Sequence, residues 1–264
     1  MWILIIALIL IAVFIIRKKF KSVKVDSLTL ISGGVKTGKT TLAVHLALKE
    51  YKSVCRKVKI VNFFRRIFKR EELPRPLLYS NIPLDCPYVP LTKDLLLREK
   101  RFVYKSVILV SEASLVADSQ LIKVQEINQD LLLFNKLIAH ETHGGKIFYD
   151  TQSISDLHYS IKRCLSSYLY IHHTTKWIPF FLFMKVREDR YSEDNNVVNI
   201  NDKDVEDTLK TVIIPKRVWK KFDCYCYSTL TDDLPVVEGE VLPDSLKADN
   251  IVSFRDYKKK EIKK

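Results

Sequence analysis

The stretch of this chain that decides its fold reads Leu28-Thr-Leu-Ile-Ser-Gly-Gly-Val-Lys-Thr-Gly-Lys-Thr-Thr-Leu42. It satisfies the pattern G-x-x-x-x-G-K-[ST], whose fixed positions here are Gly33, Gly38, Lys39 and Thr40. An apolar β-type run precedes the pattern and a helical stretch follows it, which is the strand, loop and helix context of a phosphate-binding loop. A glycine-rich turn that happens to contain a lysine is the simpler alternative, and it rarely meets the whole pattern. The sequence therefore predicts a nucleoside triphosphate site.

The chemistry of a triphosphate explains this spacing. Glycines let backbone N–H groups turn inward around the phosphates, and the N-terminus of the following helix adds a partial positive charge. We expect Lys39 to reach the β- and γ-phosphates and the Thr40 hydroxyl to ligate Mg²⁺. The residues expected to bind ATP are Gly33, Gly34, Val35, Lys36, Thr37, Gly38, Lys39, Thr40 and Thr41.

A second feature is a run of fifteen consecutive apolar residues, Trp2 to Ile16, followed at once by a basic cluster that begins at Arg17. At about 1.5 Å per residue it covers roughly 22 Å of a hydrocarbon core about 30 Å thick. A cleaved signal peptide would carry its charge before the run, and a buried core helix is the other alternative. We predict a single transmembrane anchor at residues 1–20. The rest of the chain is expected in the cytoplasm, because the basic residues that flank a membrane span tend to remain on the cytoplasmic side.

Composition adds a large positive charge, formally +13, and five cysteines at irregular spacings. The cysteines indicate reduced thiols rather than a disulfide framework. Part of the charge lies between Arg56 and Arg75, where basic residues alternate with Phe63, Phe64 and Phe68. This basic and aromatic segment is compatible with single-stranded nucleic acid, with a membrane surface, or with plain solvation. The sequence does not separate these three interpretations.

Several apolar runs end in polar residues, as expected for buried parallel strands whose carboxyl ends carry the chemistry. They lie at 106–113, 146–153 and 167–171, and a weaker strand is predicted at Val58 to Val61. The predicted fold class is α/β, a P-loop NTPase with a mostly parallel central sheet flanked by helices and preceded by one N-terminal transmembrane helix.

Composition also divides the chain into segments. The P-loop domain is expected at 25–186, an acidic and polar linker at 187–210, and a C-terminal strand segment that completes the domain at 211–231. A tail at 232–264 has few aromatic residues and is expected to be mobile.

A P-loop enzyme needs an acidic residue at the end of a buried strand, and Val107 to Val110 followed by Ser111 and Glu112 is the candidate. Glu112 is the predicted catalytic carboxylate and a metal-shell residue. Ser111, where an aspartate is usual, is a possible but poorer metal-shell ligand. A surface glutamate at a strand end is the alternative.

Two further residues are candidates for the reaction. Gln152, in Asp150-Thr-Gln152, is placed to orient the attacking water, unless it is an ordinary polar strand end. Arg163 is a candidate arginine finger for a neighbouring subunit, and an exposed helix arginine is as good an interpretation.

Several motifs in this order resemble the Zot-like family, or zonular occludens toxin domain family, of P-loop ATPases. They are the loop at Gly33 to Thr41, Ser80-Asn-Ile-Pro-Leu84, Val107 to Glu112, His143-Gly-Gly leading to Asp150-Thr-Gln-Ser153, the helix Asp156 to Arg163, and Phe222-Asp-Cys-Tyr-Cys-Tyr-Ser228. Many members carry their membrane span after the ATPase domain, whereas here the apolar run comes first.

The resemblance implies an ATPase at the bacterial inner membrane that drives assembly and extrusion of single-stranded DNA phage. It implies a homo-oligomeric ring, for which a hexamer is one size, with ATP and Mg²⁺ between subunits. Phage coat and assembly proteins are the expected partners, with single-stranded DNA a further one. Two alternatives stay open: a nucleotide-binding membrane scaffold with little turnover, and a conjugation-type plasmid DNA-transfer ATPase.

Overall fold

The computed structural model describes residues 23–91, 95, 102–116, 134–137, 140, 142–155, 157, 159–176, 180–189 and 209–222. The predicted anchor at 1–20, the tail at 232–264 and most of the linker at 187–210 lie outside the described residues. Of the helices that the structure does describe, none combines the length and the apolar character needed to cross a bilayer.

The centre of the molecule is one eight-stranded sheet. Its strands are β1 (Leu28–Gly33), β2 (Leu78–Ser80), β3 (Val89–Pro90), β4 (Val107–Val110), β5 (Lys146–Thr151), β6 (Ser167–Thr175), β7 (Phe181–Asp189) and β8 (Leu209–Pro215). Their order across the sheet is β3-β2-β4-β5-β1-β6-β7-β8. The first six strands in this order pair in parallel, and β7 and β8 add an antiparallel extension beyond β6. The predicted α/β class with a mostly parallel sheet is confirmed.

The helices are α1 (Lys39–Ile67), α2 (Ala113–Val116) and α3 (Tyr159–Lys162), with a 3₁₀ turn at Lys216–Lys221. The strand predicted at Val58 to Val61 is wrong, because α1 continues through it. Val54 and Val58 are buried one helical turn apart, so packing favours the helix there. The lysines and arginines between them are good helix formers, which outweighs a short β-branched run.

Each face of the sheet carries its own apolar core, because successive strand residues point to opposite faces. Phe148 packs on the face that α1 covers, together with Ile31 and Leu42. Its neighbours Ile147 and Tyr149 point to the opposite face, where they meet Phe134 and Ile161 among others. The near-continuous apolar runs in the sequence are therefore strands that are buried on both sides.

The two edges of the parallel sheet differ in what they carry. The carboxyl end of β1 leads into the phosphate-binding loop, and α1 then runs back toward the amino ends of the strands. Lys146, the first residue of β5, forms an ion pair with Glu50 at 3.1 Å and donates to the Val25 carbonyl at 3.0 Å. The middle of α1 thus lies level with the amino edge, and the rest of α1, Tyr51 to Ile67, extends roughly 25 Å beyond it.

We predict that Gly145→Ala destabilises the fold. A Cβ at this position would lie 2.6 Å from the Ser106 carbonyl oxygen and would also collide with the Thr142 side chain, which packs against the start of β5. Overpacking of this kind costs about 1–3 kcal/mol, or several degrees in Tm. Thermal unfolding of the full chain in detergent, followed by circular dichroism, measures the change.

The matched control is Gly144→Asn. Gly144 has a φ of 91° and open space around its Cβ position, so asparagine there carries some backbone strain but meets no clash. A loss of Tm in Gly145→Ala no larger than in Gly144→Asn would contradict the steric explanation.

Candidate functional site

The loop between β1 and α1 has the backbone that a phosphate cradle requires. Gly38 caps the N-terminus of α1 in the left-handed conformation, with a φ of 90°. A Cβ there would lie 2.7 Å from the Met184 Cε on β7. The backbone angle disfavours a side chain at Gly38 whatever the space, whereas the Met184 methyl is the end of a flexible side chain and could move. The sequence pattern is therefore a steric requirement of this fold as well as a requirement of the ligand.

The loop is held in place by hydrogen bonds from residues at the end of β6 and just after it. The Thr174 hydroxyl donates to the Thr37 carbonyl at 2.6 Å, and the Lys176 ammonium donates to the Lys36 carbonyl at 3.1 Å. Lys39 is only 6% exposed, and its ammonium donates to the Gly34 carbonyl at 3.1 Å across the loop. The loop therefore presents a buried cation to its own interior, which is where phosphate oxygens would be received.

A buried carboxylate lies beside this loop, at the end of β5. Asp150 is fully buried. One of its oxygens accepts from the Ser111 hydroxyl at 3.0 Å, and the other accepts from the Glu112 backbone N–H at 2.7 Å. The Thr40 side chain lies close enough to lower the pKa of this carboxyl. Asp150 thus lies between the loop and the end of β4.

The pKa of Asp150 is raised from 3.8 to about 6, chiefly by burial and also by the nearby negative charge of Glu112. The hydrogen bonds from the Glu112 N–H, Ser111 and Thr40 act in the opposite direction because they stabilise the ionised form. A bound cation would favour that ionised form in the same way.

The end of β4 has an unusual backbone that a second residue holds in place. Glu112 has a φ of 49°, which a residue with a side chain adopts only at a cost. The Asn81 side chain clamps the preceding residue, accepting from the Ser111 N–H at 2.7 Å and donating to the Ser111 carbonyl at 2.9 Å. The Ser80-Asn-Ile-Pro-Leu84 motif thereby sets the direction in which Glu112 leaves the strand.

The structure brings together four of the residues that the sequence singled out: Lys39, Thr40, Ser111 and Glu112. Ser111 is a donor to Asp150 and hence part of a hydrogen-bonded pair. Gln152 is exposed at the same edge of the sheet, one residue after β5 ends. It remains a prediction as the residue that orients water.

Arg163 lies at the other edge of the sheet. It is exposed, three residues before Ser166, whose N–H donates to the Leu28 carbonyl at the start of β1 at 3.0 Å. The structure therefore separates Arg163 from the phosphate loop of its own chain. A role toward the nucleotide of another subunit stays a prediction.

Two residues of this site were not assigned by reading the sequence. The sequence pattern places Asp150 at a strand end, where the water-orienting role is predicted for Gln152. The pattern includes Asn81 in a motif but assigns it no function. A signal for Asp150 exists in the sequence, since a carboxylate directly follows the apolar run Ile147 to Tyr149. Its contact with Ser111 joins residues 39 positions apart, so only the folded chain reveals it.

The donor set fits a magnesium nucleotide. A hydroxyl and a carboxylate that lie close together, Thr40 and Asp150, are the oxygen ligands or outer-shell partners that Mg²⁺ prefers. The loop amides and Lys39 supply positive partners for phosphate oxygens. Among the described residues there is no group of three or more His, Cys, Asp or Glu side chains that could hold a metal ion without other ligands.

Comparisons with known proteins give distant structural similarities. No protein-family model and no curated protein matches the sequence. The chain is similar to the N-terminal domain of zonular occludens toxin from Neisseria meningitidis, at 16% identity and a TM-score of 0.40, over 76% of this chain and 100% of that chain. The name of this structure is the family name that the sequence motifs indicated.

Two other solved structures are similar at the same distant level. The flagellar accessory protein FlaH from Methanocaldococcus jannaschii is 16% identical with a TM-score of 0.35, covering 72% of this chain and 84% of that one. The genome packaging NTPase of Sulfolobus turreted icosahedral virus 2, in complex with ATP-gammaS, is 12% identical with a TM-score of 0.32, covering 63% and 97%. At these TM-scores the similarities assign no activity to the chain.

We predict that the buried Asp150 makes the metal-free protein less stable as pH rises. Its folded pKa of about 6 lies above the ordinary 3.8, so between these values the folded state binds more protons than the unfolded state. Stability therefore falls as pH rises through this window, by up to about 3 kcal/mol, and stays lower above it. Asp150→Asn should remove the fall and melt several degrees above the parent at neutral pH. Thermal unfolding in EDTA across this range measures both effects.

Asp26→Asn is the matched control, because it removes one negative charge from an exposed position on the chain leading into β1. A variant Asp150→Asn that follows the parent curve at every pH would contradict this account.

Proposed function

We propose that this chain is a membrane-anchored ATPase that couples ATP hydrolysis to the assembly and extrusion of a filamentous single-stranded DNA phage. The ATPase part rests most on one observation, the buried Asp150 carboxylate that accepts from both the Ser111 hydroxyl and the Glu112 N–H. These contacts join the ends of β4 and β5, and β5 pairs with β1, which leads into the phosphate loop, so that the carboxylates lie beside the loop as hydrolysis of a bound triphosphate requires.

Each residue has a distinct task in the proposed reaction. The Lys39 ammonium exchanges its bond with the Gly34 carbonyl for phosphate oxygens. Thr40 and Asp150 would hold Mg²⁺, which when bound neutralises phosphate charge. The Glu112 carboxylate accepts the proton of the attacking water, and Gln152 orients that water.

Asp150 supplies the carboxylate that is missing at position 111, where a serine stands in place of the usual aspartate. A serine at the usual aspartate position weakens metal binding if it acts alone, and that weakness favoured a scaffold with little turnover. Here the neighbouring strand β5 offers a buried carboxylate to the same serine at 3.0 Å. The pair replaces the missing aspartate, which supports turnover over static binding.

The assembly and location belong to the same proposal. The apolar run Trp2 to Ile16 and the basic residues after it support a single-pass anchor in the inner membrane, with the ATPase on the cytoplasmic side. We assign ATP to the boundary between subunits of a homo-oligomeric ring, with Arg163 reaching the neighbour's nucleotide. Phage coat and assembly proteins, with single-stranded DNA as cargo, follow from the family resemblance of the motifs.

Two substitutions separate an ATPase from a nucleotide-binding scaffold. Lys39→Ala should weaken ATP binding roughly ten- to a hundredfold, because it removes charged hydrogen bonds to phosphate. Glu112→Gln should keep ATP binding and lower turnover roughly 10²- to 10⁴-fold, the usual contribution of a general base. Equilibrium binding and phosphate release from the full chain in vesicles, with and without single-stranded DNA, measure these effects. Phage output that survives Glu112→Gln in cells would favour the scaffold.

Asp150→Asn tests the metal assignment independently of turnover. In the parent protein, Mg²⁺ should tighten binding of a fluorescent ATP analogue relative to EDTA. The variant should need roughly ten- to a hundredfold more Mg²⁺ for the same effect, as is typical when a metal-orienting partner is lost. Its affinity for the analogue in EDTA should not fall, and Asp26→Asn should behave as the parent does. Unchanged Mg²⁺ dependence in Asp150→Asn would exclude Asp150 from the metal site.

A further inference from the structure

The end of α1 that extends beyond the sheet carries an exposed apolar stripe. Its members recur at the spacing of one helix face and just past its end: Ile60, Phe63, Phe64, Ile67 and Phe68, which are 59%, 61%, 53%, 58% and 70% exposed. Nothing in the described part of the chain covers them. A monomeric soluble protein seldom exposes such a contiguous patch, which marks an interaction surface. We call these five residues the α1 stripe.

The surroundings of the α1 stripe are strongly cationic. From Tyr51 to its end, α1 contains six lysines and arginines and no acidic residue: Lys52, Arg56, Lys57, Lys59, Arg65 and Arg66. One of these charges is neutralised, since Arg66 pairs with Glu72 at 2.7 Å on the segment that follows the helix. The partner of this surface must therefore be apolar in one layer and negatively charged in the next.

The position of the α1 stripe is informative as well. The chain enters β1 at the amino edge of the sheet, where Val23 and Val25 pack against the core that α1 covers. The apolar run Trp2 to Ile16 and its basic flank precede this point directly in the sequence. The second half of α1 extends past the same edge. Val23, the first described residue, and the exposed stripe thus lie on the same side of the domain.

Other occupants fit the surface less well. A second copy of the chain would bring an equally cationic helix against this one, which like charges oppose. Single-stranded nucleic acid needs free aromatic faces for base stacking. The aliphatic Ile60 and Ile67 offer none, and Phe63 packs edge-on against Phe64 with ring centroids 5.7 Å apart.

We propose that the α1 stripe docks on an anionic lipid surface. The five apolar side chains enter the boundary between headgroups and acyl chains, and the flanking lysines and arginines meet anionic headgroups. This second attachment fixes the domain with its amino edge toward the bilayer and its phosphate loop facing away from it. The proposal deepens the membrane attachment of the proposed function and does not depend on ATP turnover.

The experiment measures protection of the α1 end from trypsin. The full chain is reconstituted in vesicles of phosphatidylcholine alone or of equal parts phosphatidylcholine and phosphatidylglycerol. Mass spectrometry then follows cleavage after Arg65, Arg66 and Lys69. We expect cleavage at least tenfold slower on the anionic vesicles, the change that about 1.4 kcal/mol of docking energy produces.

Two variants make the result specific. The first, called the stripe variant, combines Phe63→Gln, Phe64→Gln and Ile67→Gln. It should restore the cleavage rate seen on phosphatidylcholine, and because the three side chains are exposed, the fold should be kept. The matched control, Phe180→Gln with Phe181→Gln, changes exposed apolar residues at the start of β7, at the carboxyl edge of the sheet. This control should keep the protection, and circular dichroism checks that both variants are folded.

Four outcomes overturn the proposal: equal cleavage on both vesicles, protection that survives the stripe variant, protection by an oligonucleotide on neutral vesicles, and protection that grows with protein concentration in detergent. Vesicle flotation separates failure of this proposal from failure of the predicted anchor. If the chain does not float with phosphatidylcholine vesicles, the predicted anchor is wrong. In that case the proposal for the α1 stripe still requires that the parent chain floats with the anionic vesicles and that the stripe variant does not.

Discussion

The carboxylate of Asp150 is the interaction on which the arrangement of the site depends. It accepts hydrogen bonds from the Ser111 hydroxyl and the Glu112 N–H, so it ties β5 to the end of β4, and it lies close enough to Thr40 in the first turn of α1 for that side chain to lower its pKa. These are the elements that a triphosphate site has to hold in register. The fold retains an ionisable group in its interior at a cost in stability, as is common where a functional group must be preorganised.

The neighbouring contacts extend this constraint outward. Asn81 fixes the backbone of Ser111, and Glu112 leaves β4 in a left-handed conformation. On the other side of the loop, Thr174 at the end of β6 and Lys176 just after it donate to the Thr37 and Lys36 carbonyls. The strand next to β1 therefore supports the phosphate loop, in addition to widening the core.

Helix α1 connects the two ends of the molecule. It begins at the phosphate loop with Lys39 and ends with the α1 stripe, about 44 Å away at 1.5 Å per residue. In the proposed arrangement one rigid element joins the nucleotide site to the lipid surface. A change in how the nucleotide orders the first turn of α1 would then alter the contact of the α1 stripe with the membrane. The bilayer in turn would restrict how neighbouring subunits align their phosphate loops.

The sequence by itself determined the α/β class, the phosphate loop and the apolar runs at 28–31, 106–113 and 146–153 that contain β1, β4 and β5, because these depend on local patterns: glycine spacing and apolar runs that end in polar residues. It also indicated Glu112 by its position after a buried run. It did not reveal that α1 continues through Val58, since three β-branched residues within four positions carry less information than the packing around them. Only the tertiary structure decided that Asp150, on the next strand of the sheet, supplies the carboxylate missing at Ser111. That contact exists because parallel pairing places the ends of β4 and β5 side by side, and no pattern within either segment encodes which strands become neighbours.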